Sequence, residues 1–224
     1  MGRDQRRVVR ALVDAHGQTY AEEAGIRLKD TPQPLYRLLV LAHLLSARIS
    51  ASVAVAAARA LGEAGLRDPR RMAGADWQER VDALGRGGYR RYDERTATQL
   101  GDGAGLLTER WGGDLRRLRE EADGEVPEVR RLLQEFPGVG PTGADIFLRE
   151  AQLVWPEAAP YLDRKALRGA ERLGLPAAPD RLVAPAGRAE PAVLAAALVR
   201  AAVDKDVAED TLDRADRPGD RSDG

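Results

Sequence analysis

Cysteine is absent from this chain of 224 residues, and histidine occurs only twice, as His16 and His43. Without thiols the chain can form no disulfide, and it has no thiolate to ligate an iron–sulfur cluster. Two histidines are also too few for the usual zinc site built from histidine side chains. We therefore expect no iron–sulfur cluster and no other resident cofactor.

Aromatic residues are scarce, at 4% of the chain, although apolar residues in total reach 43%. The core must therefore be filled mainly by alanine, leucine and valine. The chain shows almost no alternation of apolar and polar residues, which would indicate strands, and it is rich in strong helix formers. This composition predicts an all-α fold, long enough for one large domain or two small lobes.

Long apolar runs are missing as well. No apolar stretch follows Met1, so no signal peptide is predicted. The most apolar run, residues 38–47, is too short to span a bilayer and contains His43. We expect a monomeric, cytoplasmic protein that makes no contact with a membrane.

Neither sign of charge is in large excess, since the formal net charge is −1. Residues 204–224 hold eight acidic and four basic residues, which leaves +3 for the rest of the chain. This small positive balance argues against strong non-specific DNA binding, but it permits a local site for nucleic acid.

The most informative stretch is residues 133–144, which the pattern predicts to be two helices joined by a tight Pro-Gly-Val-Gly turn. Gly138 and Gly140, on either side of Val139, can adopt positive φ and leave their N–H groups uncovered. A helix predicted over residues 142–153 would direct its positive N-terminal end the same way. The turn is therefore suited to hold one phosphate group through its main chain.

A second signal lies downstream, where Asp163 precedes an amphipathic run to Leu173. The hairpin pattern and the spacing to Asp163 together resemble the helix-hairpin-helix-GPD superfamily of base-excision DNA glycosylases, in its endonuclease III-like branch. The run from Leu44 to Arg48 resembles an early helix of that family, and Gly88-Tyr89 resembles the loop before a central helix. The resemblance covers roughly residues 35–175.

The resemblance implies two helical lobes with a cleft between them. Residues 1–30 would form an N-terminal helix packed on the C-terminal lobe. Residues 31–150 would form a helical barrel that ends in the helix-hairpin-helix, itself at 130–153. Residues 154–208 would form the C-terminal lobe that carries Asp163, and the charged residues 209–224 a disordered tail.

Three further predictions concern local structure. Residues 92–100 and 106–111 are predicted to form two separate short helices. Residues 176–191, which are rich in proline and alanine, are predicted to form an extended connector.

Asp163 is the candidate catalytic residue by this resemblance. A glycosylase must stabilise the positive charge that develops on a sugar as its base departs, and a carboxylate near C1′ does so. The same carboxylate can orient or deprotonate the attacking water. Aspartate immediately before a helix is equally a preferred N-cap, worth about 1 kcal/mol. Both roles are compatible, because a capping carboxylate is held rigidly.

Thr142 and Lys165 mark departures from the family pattern. Bifunctional members carry a lysine at the position of Thr142, and its amine forms a Schiff base that leads to strand cleavage. A threonine hydroxyl cannot do this, so a monofunctional enzyme is predicted. Lys165 is a substitute nucleophile, or else a phosphate contact or a solvated helix residue.

Base flipping requires groups that fill the gap and hold the backbone. Arg48 aligns with a family position that enters the duplex, and the basic loop with Arg86, Arg90 and Arg91 lies where a wedge is expected. Arg90 and Arg91 also suit phosphate contacts, which need only charge and reach. The plainer interpretation makes Arg48 a solvated helix end and the loop a basic turn.

The sequence thus predicts a DNA repair glycosylase that hydrolyses the N-glycosidic bond of a damaged or mismatched base in double-stranded DNA. The hairpin residues Gly138, Val139 and Gly140, together with Thr142, would contact DNA and hold a backbone phosphate. A bound monovalent cation would assist there, as the family resemblance suggests. Two rival hypotheses stay open. One is a non-catalytic DNA-binding protein that kept the hairpin, and the other is a helical protein that uses the hairpin for protein contacts.

Overall fold

The computed structural model describes residues 5–186 and 190–217, with the backbone alone at 183–186. Every regular element in these ranges is a helix, which confirms the predicted all-α fold. None of the described helices is both long enough and apolar enough to cross a membrane. The α-helices are α1 (Gln5–His16), α2 (Tyr20–Glu23), α3 (Pro32–Ser46), α4 (Ala51–Glu63), α5 (Pro69–Gly74), α6 (Trp77–Arg86), α7 (Asp93–Trp111), α8 (Leu115–Glu121), α9 (Val126–Leu133), α10 (Pro141–Ala151), α11 (Arg164–Arg172), α12 (Pro179–Ala186), α13 (Pro191–Val203) and α14 (Lys205–Asp216).

The chain divides into two compact units. The first contains the residues up to Thr19 and those from Ala159 onwards, and the second is Tyr20–Ala158. The hairpin helices α9 and α10 therefore belong to the second unit, and Asp163 belongs to the first. The cleft expected between two lobes stays a prediction.

Helix α3 is the central helix of the second unit. Nine of its fifteen residues are buried, because the helix is apolar nearly all round. It packs against α4, α8 and α10. This arrangement places the C-terminal half of α3, including His43, directly against the turn between α9 and α10.

In the first unit, α11 lies against α13 at very close range. A Cβ atom on Gly169 of α11 would come within 1.9 Å of the carbonyl oxygen of Leu198. Only glycine allows this approach of the two helices, which positions the start of α11 and thus Asp163.

Helix α7 (Asp93–Trp111) is continuous, so the prediction of two separate short helices is wrong. Two of the glycines between them, Gly101 and Gly103, lie against neighbouring side chains instead of ending the helix. A Cβ atom on Gly101 would lie 2.9 Å from the guanidinium carbon of buried Arg80, and Gly103 faces Phe136 of the hairpin. Close neighbours therefore compensate for the low helix propensity of glycine.

The predicted disordered tail is wrong for residues 209–216, which belong to α14. Ala208, Thr211 and Ala215 are buried on one face of this helix, which packs against α1 and α13. Residues 218–224 of the predicted tail lie outside the described residues. The predicted connector likewise contains a helix, α12 (Pro179–Ala186).

The N-terminal segment is divided between the units at Thr19, not at residue 30 as predicted. Helix α1 packs against α13 and α14, which belong to the same unit. The chain then enters the second unit, where the Glu150 carboxylate accepts the N–H groups of Tyr20 at 3.1 Å and Ala21 at 3.0 Å. This buried carboxylate sits at the N-terminus of α2 and accepts two of its open N–H donors.

Candidate nucleic-acid interface

A tight turn joins α9 to α10, and its apolar residues are anchored in the core. Phe136 and Val139 are buried, and the Val139 N–H donates to the Phe136 carbonyl at 3.0 Å. The Phe136 ring stacks on Trp111 with centroids 5.6 Å apart. These contacts fix the turn from the inside.

Gly138 is the residue on which the shape of this turn depends. Its φ is +82°, in the left-handed region that side chains other than hydrogen disfavour. A Cβ atom here would lie 2.5 Å from His43 Nε2 and 2.6 Å from Gln99 Oε1. Both the conformation and the space therefore require glycine.

Main-chain donors are open along the turn. The N–H groups of Gly138, Gly140 and Thr142 have no hydrogen-bond acceptor in the part of the chain that the structure describes. Thr142 lies in the first turn of α10, where N–H groups lack intrahelical partners and the helix dipole is positive. Gly138 and Thr142 are exposed. An arrangement of this kind can bind a phosphate oxygen.

A groove of about 270 Å³ lies beside Gly138, and we call it the Gly138 groove. It brings Gly138 together with Arg48, two residues that sequence reasoning selected for separate reasons. Arg48 and Arg95 are exposed there, and neither forms an ion pair with another described residue. The groove is lined by His43, Ser46, Ala47, Arg48, Tyr89, Tyr92, Arg95, Thr96, Gln99 and Gly138.

Sequence reasoning missed Arg95 and Gln99 as groove residues. The available signal was helical spacing, because Tyr92, Arg95 and Gln99 recur at intervals of three and four along α7 and its N-cap. Their relation to Gly138 depends on the packing of the hairpin against α3 and α7, which no local pattern reveals.

The basic loop between α6 and α7 is held by Tyr89. This side chain is buried, its hydroxyl accepts a hydrogen bond from Thr96 Oγ1 at 3.4 Å, and burial raises its pKa. Arg86, Arg90 and Arg91 are exposed around it, with the Arg91 guanidinium 5.2 Å from the Tyr92 ring centroid. The loop therefore exposes its guanidinium groups to solvent, whereas the Tyr89 ring is buried in the core.

Asp163 is the N-cap of α11. Its Oδ1 accepts the N–H of Ala166 at 3.1 Å, and the side chain is half-buried. The capping role is thus directly visible, whereas the catalytic role stays a prediction. Lys165 is exposed on the first turn of the same helix, and Thr142 is exposed at the start of α10 in the other unit.

A metal site built from side chains has no support in the described ranges, where no three His, Cys, Asp or Glu residues group in a way that could hold an ion. The monovalent cation at Gly138 and Gly140 would use main-chain oxygens instead, and it stays a prediction.

His43 lies against Gly138 of the turn and is almost completely shielded from solvent. It is 6% exposed, and its Nε2 is 3.3 Å from Gln99 Oε1. Burial lowers the pKa of His43 to about 4. The ring is therefore neutral near pH 7, with Nε2–H donating to the Gln99 amide oxygen beneath Gly138.

We expect the free energy of unfolding to fall as the pH falls from about 6.5 to about 4. In the unfolded chain His43 takes up a proton near its ordinary pKa of 6.5, whereas in the folded protein it does so only near 4. Protonation in this window therefore favours the unfolded chain, by about 3 kcal/mol in total. Urea titrations of the parent and His43→Gln at a series of pH values measure it. The loss should be smaller in the variant by this amount, and equal losses would contradict the assignment.

The fold and this turn define an all-helical protein with a helical hairpin whose turn has open main-chain N–H groups. No protein-family model matches the chain, and no curated protein matches it. Among solved structures, it is similar to endonuclease III trapped as a covalent intermediate with DNA, in an estranged-adenine complex. The TM-score is 0.47 and the sequence identity 15%, over 87% of this chain and 84% of the other.

Proposed function

We propose that the chain is a DNA glycosylase that removes a damaged or mismatched base from duplex DNA. The observation that carries this proposal is the turn at Gly138, whose open main-chain donors lie beside the positive charges of Arg48 and Arg95. Main-chain N–H groups, helix N-termini and arginine side chains are typical contacts of proteins with DNA phosphates. The turn and groove together suit one distorted stretch of the DNA backbone.

Asp163 supplies the catalytic carboxylate in this proposal. As the base departs, positive charge develops on the deoxyribose, and the carboxylate stabilises it. The bond from C1′ to the base nitrogen breaks, and a bond from C1′ to the water oxygen forms. Asp163 accepts one proton of that water as general base. The electrons of the broken bond stay on the departing base, which takes up a proton from solvent. The bond that Asp163 accepts from Ala166 N–H supports the role of general base, because it fixes the carboxylate before a substrate arrives.

Positively charged side chains would hold the opened duplex. Arg48 would enter the gap left by the flipped base, and Arg86, Arg90 and Arg91 would contact phosphates. Extrusion of a base costs a few kcal/mol, and less for a mismatched or damaged one. Exposure of all four guanidinium groups is compatible with these contacts.

The residue at position 142 decides between base removal alone and strand cleavage. We expect Thr142→Lys to gain an activity that the parent lacks, because a lysine amine can form a Schiff base with the sugar and a threonine hydroxyl cannot. Position 142 is exposed at the start of α10, so the change should be tolerated. Incubation with abasic-site duplex and borohydride measures the covalent adduct. Thr31→Lys, an exposed position at the start of α3, is the control, and an equal adduct yield there would refute the prediction.

A non-catalytic DNA-binding protein is the second candidate. The capping bond of Asp163 favours it, because that bond alone accounts for an aspartate at the start of α11. The turn at Gly138 and the Gly138 groove would then bind DNA without further chemistry.

The two candidates differ in one product, the free base. A set of duplexes with oxidised, alkylated, deaminated or mismatched bases, each treated with and without alkali, tests for it. Strand breaks that need alkali would indicate base removal without strand scission. Tight binding to an abasic-site duplex with no base released from any member of the set would favour the DNA-binding protein.

A further inference from the structure

A second cavity of the Tyr20–Ala158 unit, of about 410 Å³, is lined by three arginines. Arg37 comes from α3, Arg59 from α4, and Arg67 from the segment that follows α4. We call this cavity the arginine pocket. Its remaining lining residues are Ala24, Gly25, Gly62 and Glu63.

Each of the three guanidinium groups is anchored by main-chain carbonyls. Arg37 donates to the carbonyls of Gly25 at 3.3 Å and Ala24 at 3.5 Å. Arg67 Nε donates to the Gly62 carbonyl at 2.6 Å, and Arg59 donates to the carbonyl of Glu23. A guanidinium has five N–H donors, so most of them stay available after these bonds. The anchors thus fix the groups and leave donors for a ligand.

The three positive charges of the arginine pocket have no ion-pair partner among the described residues. The lining contains one carboxylate, that of Glu63. Burial lowers the pKa of half-buried Arg37, and the positive charge of Arg67 lowers it further. A bound anion would relieve the repulsion between these like charges.

The shape of the arginine pocket suits a compact ligand. Gly62 lies in its floor, and a Cβ atom there would meet only the Arg37 guanidinium, at 3.5 Å. No aromatic ring lines the cavity, so it offers no surface on which a nucleobase would stack. A planar guanidinium group can donate two parallel hydrogen bonds to two oxygens of a phosphate group.

The arginine pocket is distinct from the Gly138 groove. Arg37 lies near the start of α3, whereas Ser46 of the groove ends that helix. Nine residues at the helical rise separate them by about 14 Å along the axis. The two sites therefore lie at opposite ends of α3.

We propose that the arginine pocket binds a compact polyphosphate anion through Arg37, Arg59 and Arg67. The anion is either free pyrophosphate or the phosphate chain of a nucleotide, since both present adjacent phosphoryl groups of the same chemistry. The site is independent of the proposed glycosylase activity, because none of its residues takes part in that reaction.

Calorimetric titration of the full chain with pyrophosphate, and separately with ATP, tests the proposal. We expect saturable binding at one site, weakened at least about tenfold by Arg59→Gln and by Arg67→Gln. Both side chains are exposed, so neither change should unfold the chain. Arg70→Gln, an exposed arginine outside the pocket, is the matched control and should stay within about twofold of the parent. Equal affinities would indicate that two adjacent phosphoryl groups are sufficient, and tighter binding of ATP would indicate that its third phosphoryl group or its nucleoside adds contacts.

Gly62→Leu provides an independent variant, because its side chain would fill the floor of the arginine pocket. Binding should be lost in this variant while circular dichroism shows the helical spectrum of the parent. The proposal would be overturned by no saturable binding of either anion, or by equal weakening in Arg70→Gln. Base-release rates, measured in parallel, should be unchanged in Arg59→Gln and Arg67→Gln.

Discussion

Asp163→Asn should lower the rate of base release by about 10²- to 10³-fold and leave the fold intact. The substitution removes the negative charge that the transition state needs and keeps the side chain nearly the same size. Asparagine caps a helix about as well as aspartate, so the bond to Ala166 N–H can persist. The substitution therefore separates the effect of Asp163 on catalysis from its effect on the stability of the fold.

Single-turnover release of the base, with excess protein, measures this loss directly, and thermal unfolding measures stability. Asp204→Asn is the matched control, because Asp204 caps α14 in the same unit through its bond to the Asp206 N–H at 2.9 Å. It should release the base at the parent rate. If both variants lose activity alike, Asp163 has only the structural role of a cap.

Gly138→Ala should abolish tight binding to duplex DNA and destabilise the chain by at least about 2 kcal/mol. A φ of +82° is energetically unfavourable for alanine. In addition, its Cβ atom would collide with His43 Nε2 at 2.5 Å and Gln99 Oε1 at 2.6 Å. Removing this collision requires the turn to move. That movement would redirect the open N–H groups of Gly138 and Gly140. The affinity for DNA should therefore fall even at temperatures where the chain is folded.

Gly25→Ala controls for the backbone cost alone. Gly25 has a φ of +66°, and a Cβ atom there would have no neighbour within 4 Å. Fluorescence anisotropy with an abasic-site duplex should show parent-like affinity for Gly25→Ala and at least a tenfold loss for Gly138→Ala. Parent-like affinity in a folded Gly138→Ala protein would mean that the turn does not bind DNA.

Local patterns were sufficient to predict the hairpin. A turn of this kind needs glycine at positive φ and apolar anchors on both sides, which Gly138, Phe136 and Val139 supply. Gly140, for which positive φ was equally open, has a φ of −89° as the N-cap of α10. Local patterns failed at Gly101 of α7, because the reason for a glycine there is the buried guanidinium of Arg80. That side chain donates to the carbonyls of Ala97 and Met72, contacts that only the packed chain can make.

Helix α14 is a second element that local sequence patterns did not predict. Its buried face consists of the small residues Ala208, Thr211 and Ala215, so the charged residues dominate the sequence pattern. The Gly138 groove is a third such feature, because His43, Arg95 and Gln99 come from α3 and α7 and meet only where the hairpin packs on these helices. Tertiary contacts decide both features.

The most direct test of the central claim is detection of the free base itself. The full chain is incubated with the set of damaged and mismatched duplexes, and released bases are identified by mass spectrometry beside alkali-dependent strand breaks. The account predicts release from at least one duplex, breaks only after alkali, and loss of both signals in Asp163→Asn. Release at an equal rate by Asp163→Asn, or no release from any duplex, would contradict it.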